Sequence, residues 1–70
     1  MKTGILVPDT DSDRIDIRFN LEDYYGGLHC GTTMDIRLHS RWVPTRIEKG
    51  TDWFLVGVKT KSILGLKVRI

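Results

Sequence analysis

The side chains best suited to chemistry fall into three groups: the carboxylates of "DTDSD" (9–13), the adjacent His29 and Cys30 with the distant His39, and a cluster of tryptophans and arginines between Arg37 and Leu55. Alternating carboxylates resemble the opening of a twelve-residue calcium loop, which needs glycine at its sixth position and a bidentate glutamate at its twelfth. Counted from Asp9, those positions hold Arg14 and Asn20. The stretch reads as an aspartate-rich hairpin turn, and no metal site is expected. Neighbours such as His29 and Cys30 point to opposite sides of an extended chain. A cysteine nucleophile needs a base within hydrogen-bond reach, and His39 is the only other histidine. Two histidines and one cysteine fall short of a four-ligand zinc site unless a carboxylate completes it. Cys30 therefore reads as a small buried thiol in a glycine-rich turn. There is no phosphate-cradling loop, dinucleotide fingerprint or serine elbow, and Gly26, Gly27 and Gly31 read as suppliers of positive φ. Neither catalysis, nor a cofactor, nor a small-molecule substrate is expected.

The third group depends on which strand faces it occupies. Period-2 alternation dominates the chain: Ile15, Ile17 and Phe19, Met34, Ile36 and Leu38, and Leu64, Leu66, Val68 and Ile70 alternate with polar or small neighbours, and Val43, Thr45 and Ile47 with Trp42, Pro44, Arg46 and Glu48. "GILV" (4–7) and the near-continuous "WFLVGV" (53–58) add two strands. "PDTDSD", "YYGGLHCG", "HS", "KGTD" and "KTKS" carry turn chemistry. No window sustains a helical period, and "NLEDYY" (20–25) has room for one helical turn at most. The expected class is all-β: one domain over 1–70, a small five-to-six-stranded antiparallel meander closing into an SH3-like barrel, because closure removes aggregation-prone edges.

A two-residue loop at His39-Ser40 pairs Leu38 with Arg41, Ile36 with Val43 and Met34 with Thr45. On the opposite face it sets Arg37 beside Trp42, Asp35 beside Pro44 and Thr33 beside Arg46. An even-length loop at "KGTD" pairs Glu48 with Trp53 and Arg46 with Leu55. Val43, Thr45, Ile47, Phe54, Val56 and Val58 then form a core face. Arg37, Trp42, Arg46, Trp53 and Leu55 form a cation-rimmed apolar face, the expected partner-binding surface. Three other readings stand beside it. A bulge at the second turn sends Trp53 and Leu55 inward, the "NLEDYYGGLHCG" loop covers the face, or Trp42 and Arg37 simply brace the sheet. Pro44 suits an edge or a bulge.

The formal net charge of +2 hides an asymmetry. Residues 1–35 hold seven acidic and three basic groups, and residues 36–70 hold eight basic and two acidic ones. The split either steers an anionic partner or neutralises itself across strands. A single cysteine excludes an intrachain disulfide. The apolar run in "MKTGILVPDT" is too short for a signal peptide, and no stretch approaches membrane-span length. A cytoplasmic protein is expected.

At "YYGGLHCG", "WVPTRIE", "DWFLVG" and "LGLKVRI" the chain resembles a family of very short proteins of unknown function from Firmicute genomes, often associated with mobile elements. The resemblance runs from about Gly4 to the end. His39-Ser40, where the family pattern would place an asparagine–glycine turn, is a departure in the hairpin. The resemblance implies a bacterial source and a compact domain, and no catalytic activity. The expected function is a non-catalytic binding module, engaging a protein partner or a second copy through the Trp/Arg face. The alternative is a nucleic-acid-binding small barrel using the basic half, with Trp42 and Trp53 as aromatic platforms and Arg37, Arg46, Lys67 and Arg69 as cations.

Overall fold

The computed structural model describes all residues 1–70 and contains seven antiparallel strands and no helix. They are β1 (Thr3–Pro8), β2 (Ile15–Asn20), β3 (Asp23–Tyr24), β4 (Thr33–Leu38), β5 (Arg41–Lys49), β6 (Trp53–Leu55) and β7 (Lys67–Arg69). The sheet order is β3-β2-β1-β7-β4-β5-β6. The all-β expectation holds, with three differences. There are seven strands rather than five or six. The meander is interrupted, because the last strand inserts between β1 and β4. The ladder also does not close, leaving β3 and β6 at its edges.

The β4–β5 hairpin has all six expected pairs, from Thr33 opposite Arg46 to Leu38 opposite Arg41. Its loop places His39 at φ 57°. A single positive φ at the first loop position is the pattern of a type II′ turn, which normally favours glycine there. The β5–β6 hairpin is out of the expected phase. Lys49 faces Trp53, Glu48 faces Phe54 and Ile47 faces Leu55, across the odd-numbered loop Gly50–Asp52. One residue of slip exchanges the two faces of a strand. Leu55 accordingly lies in the core at 1% exposure, while Phe54 is 44% exposed. Val56 is exposed too, and its N–H donates to the Arg46 carbonyl at 3.1 Å. A similar slip precedes β7. Gly65 takes φ 87°, so Ile63 enters the core and Leu64 turns outward.

The core is a single cluster containing Leu6, Ile17, Leu28, Ile36, Ile47, Leu55 and Val68, all fully buried. The segment 25–32 links the two ends of the strand set around this cluster. Tyr25 and Leu28 donate to the carbonyls of Ile17 and Ile15, and Gly31 donates to that of Ile47. "NLEDYY" forms the tight β2–β3 turn instead of helix, with Asn20 opposite Asp23. At Gly4 the backbones of β1 and β2 come very close: a Cβ there would sit 2.5 Å from the Arg18 carbonyl oxygen and 2.7 Å from Ile17 Cγ2. Only glycine fits.

Candidate functional site

Strand pleating sends Arg37, Trp42 and Arg46 to the outer side of the sheet, opposite the core. The Trp42 ring lies 5.2 Å from the Arg37 guanidinium carbon and 4.5 Å from that of Arg69, ring centroid to Cζ. Arg69 Nε donates to Asp35 Oδ2 at 2.9 Å. Two guanidiniums on one indole are favourable by roughly 0.5–1 kcal/mol each at exposed sites. Arg37 is exposed and takes part in no ion pair, whereas Arg46 is held by Glu48 at 2.9 Å. The arrangement fixes Trp42 by stacking and leaves Arg37 free to meet an anion.

The other expected face residues lie elsewhere. Leu55 is core, so it offers no contact surface. Trp53 is half-buried at the far end of the hairpin, where its Nε1–H donates to the Asp13 carbonyl at 2.6 Å. Lys49 stands 5.2 Å from its ring and forms an ion pair with Asp13. Trp53 thereby ties the β6 end of the sheet to the β1–β2 turn. The five residues expected to form one surface are thus divided. Arg37, Trp42 and Arg46 share the outer face, Trp53 acts as a tether, and Leu55 packs inside.

Cys30 is exposed, which corrects the expectation of a buried thiol. His39 sits at the opposite end of β4 from Cys30, about 20 Å away along a six-residue strand, so the two form no nucleophile–base pair. No three His, Cys, Asp or Glu side chains converge into a metal-binding group. The acidic turn organises itself: Asp9 accepts from the Asp11 N–H at 3.0 Å and from the Ser12 hydroxyl at 2.9 Å. Those two hydrogen bonds, in that order, hold the Asp9 carboxyl below the ordinary aspartate range. Two of the four ion pairs, Lys49–Asp13 and Arg69–Asp35, join the acidic half of the chain to the basic half. Neutralisation across the sheet is therefore partial.

Asp16 escapes a reading of the sequence. It is 7% exposed, and its Oδ1 accepts from the N–H groups of Ile17, Gly26 and Gly27 at 2.8, 3.0 and 2.8 Å. Gly26 and Gly27 take φ 110° and 99°, which aims two successive amides at one oxygen. The Gly-Gly pair is therefore shaped around an internal carboxylate. The available signal was an aspartate in the polar phase of β2, but its partners lie ten and eleven residues away.

A family model for a domain of unknown function, DUF5348, matches residues 4–70. The chain belongs to the DUF5348 family. The crystal structure of a protein from Ruminococcus gnavus resembles this DUF5348 domain with a TM-score of 0.93 and 51% sequence identity, over 99% of this chain and 100% of that one. No curated protein matches the chain. The family description assigns the DUF5348 domain no activity, and the structure contains no helix long and apolar enough to cross a membrane.

Proposed function

We propose that this DUF5348 domain is a non-catalytic binding module that presents the outer face around Trp42 to an anionic partner. The observation that carries this reading is the Arg37–Trp42–Arg69 stack, in which one guanidinium is neutralised by Asp35 and the other is free. The register slip withdraws Leu55 and Trp53 from the outer face and sets Phe54 and Val56 beside Glu48 and Arg46, while Arg37 remains the exposed charge at the Trp42 end. A cytoplasmic setting, rich in polyanions, suits the reading. The test is binding to heparin, a generic polyanion, at low salt. The domain is retained and Arg37→Glu weakens retention, because phosphate- or sulfate-type contacts depend on that charge. Absence of retention, or retention indifferent to Arg37→Glu, refutes the reading.

A second reading rests on Phe54 and Val56, which are exposed on the same outer side as Arg46 and Glu48. These two apolar side chains could anchor a protein partner or a second copy, aromatic residues being favoured interface anchors. Sedimentation equilibrium over a range of concentrations tests self-association. A monomer throughout, unchanged by Phe54→Ser, removes the second copy as occupant.

A further inference from the structure

Strands distant in sequence place one continuous row across the outer face. Tyr24 on β3 stands opposite Arg18 on β2, Arg18 opposite Ile5 on β1, and Ile5 opposite Lys67 on β7. The β7–β4 ladder runs Asp35–Arg69 and Ile36–Val68, so its next step sets Lys67 opposite Arg37, which is paired with Trp42 on β5. The row therefore has an aromatic at each end and three cations between them. None of Arg18, Lys67 or Arg37 belongs to any of the four ion pairs. Tyr24 is 48% exposed, and Lys67 and Arg37 are exposed.

Between Arg18 and Lys67 lies an open hollow of about 560 Å³, lined in part by Thr3, Ile5 and Leu21. Leu21 is among the most exposed large hydrophobic side chains of the molecule. The hollow thus combines an apolar floor with a cation on either side. Carboxylates near the row are mostly spoken for: Asp35 is held by Arg69, and Asp16 is turned onto the Gly26 and Gly27 amides. Asp9, Asp11 and Asp16 line a separate hollow beside Arg18 and Tyr24 and bound the cationic strip at that end.

Building on the reading of the outer face as an anion-binding surface, we infer that its ligand is a single-stranded nucleic acid, lying across the strands along Tyr24, Arg18, Lys67, Arg37 and Trp42. Charge complementarity selects a repeating anion. At about 4.8 Å per strand the row spans roughly 24 Å, enough for about four nucleotides, the lower end of the footprint of small barrels. The aromatic ends select unpaired bases, whose faces are free to stack. In a duplex those faces are already stacked within the helix.

The test is fluorescence anisotropy with a labelled oligo-dT of about twelve nucleotides and with the corresponding duplex, titrated across salt concentrations. The single strand binds more tightly than the duplex, and log K falls against log salt with a slope of about −2, as expected for three phosphate contacts on a single strand. Lys67→Glu and Arg37→Glu each weaken binding by about fivefold or more, while Lys61→Glu, the same charge change outside the row, stays within about twofold. Tyr24→Ala weakens it by about fivefold through lost stacking. It also serves as the aromatic test if a Trp42 variant fails to fold. Equal affinity for the duplex, or an equal effect of Lys61→Glu, overturns the inference. If heparin is bound in an Arg37-dependent manner but the oligonucleotide is not, the nucleic-acid inference falls and the broader anion-binding reading stands. Loss of both fells both.

Discussion

Replacing Asp16 by alanine removes the single oxygen on which the amides of Ile17, Gly26 and Gly27 converge. Gly26 is exposed and can turn to water, but Ile17 and Gly27 are buried. A buried amide left without an acceptor costs about 1–3 kcal/mol, so two of them bring the loss to about 2–6 kcal/mol. A 70-residue domain has only roughly 3.5–10 kcal/mol of stability in total. Its unfolding entropy is about 0.15 kcal/mol/K, so each kcal/mol moves Tm by about 7 °C. Asp16→Ala therefore lowers Tm by about 14–42 °C, at the upper end leaving the domain unfolded at room temperature. Asp16→Asn keeps a neutral carbonyl acceptor and loses only the difference between charged and neutral hydrogen bonds, about 1–2 kcal/mol. Thermal unfolding followed by tryptophan fluorescence and circular dichroism should rank wild type above Asp16→Asn above Asp16→Ala. An Asp16→Ala protein melting within about 3 °C of wild type would show that the carboxylate does not hold the Gly-Gly segment.

Three further outcomes are expected. Gly4→Ala drives a Cβ into the Arg18 carbonyl, and the forced shift of β1 against β2 destabilises by about 1–3 kcal/mol; urea unfolding with a midpoint at or above wild type would contradict this. His39→Gly relieves a side chain held at φ 57° and should raise stability by about 0.5–1 kcal/mol net of glycine's greater unfolded-state freedom; a lower Tm would argue against the assigned turn. The depressed Asp9 carboxyl makes its contribution to stability fully present above the unfolded aspartate value of about 3.9, and that contribution fades as pH falls through the lower folded value. An NMR titration of Asp9 with a midpoint at or above the unfolded value removes it.

What was legible in the sequence followed from how tightly local chemistry sets phase. The β4–β5 register was readable because a two-residue loop leaves one pairing, and alternation in "MDIRL" and "WVPTRI" marks the inner side. "WFLV" offered no such mark, since apolar residues fill both phases, and the odd loop at Gly50–Asp52 decided the faces. That is why Leu55 and Phe54 exchanged places. Gly65 acted likewise on the final strand, where a positive φ reset the alternation between Ile63 and Leu66. The candidate surface was half readable. Arg37 and Trp42 meet across a local hairpin, but Arg18, Ile5 and Lys67 join their row only through β7, whose place between β1 and β4 no local pattern records.

That placement also governs how the molecule can come into being. Lys2 and Ile70 exchange both backbone hydrogen bonds, at 2.8 and 2.9 Å, so contact between nearly the whole length of the chain must form at the centre of the sheet. Before Lys67–Arg69 docks, no strand ladder joins β3-β2-β1 to β4-β5-β6, and each has an inner edge, β1 or β4, open to any other extended chain. Loss of a few residues from the end would not fray a margin; it would cut the sheet in two. A contact across so many residues is also slow to form. A chain whose β7 is unpaired, during synthesis or refolding, presents both inner edges to a neighbour at once.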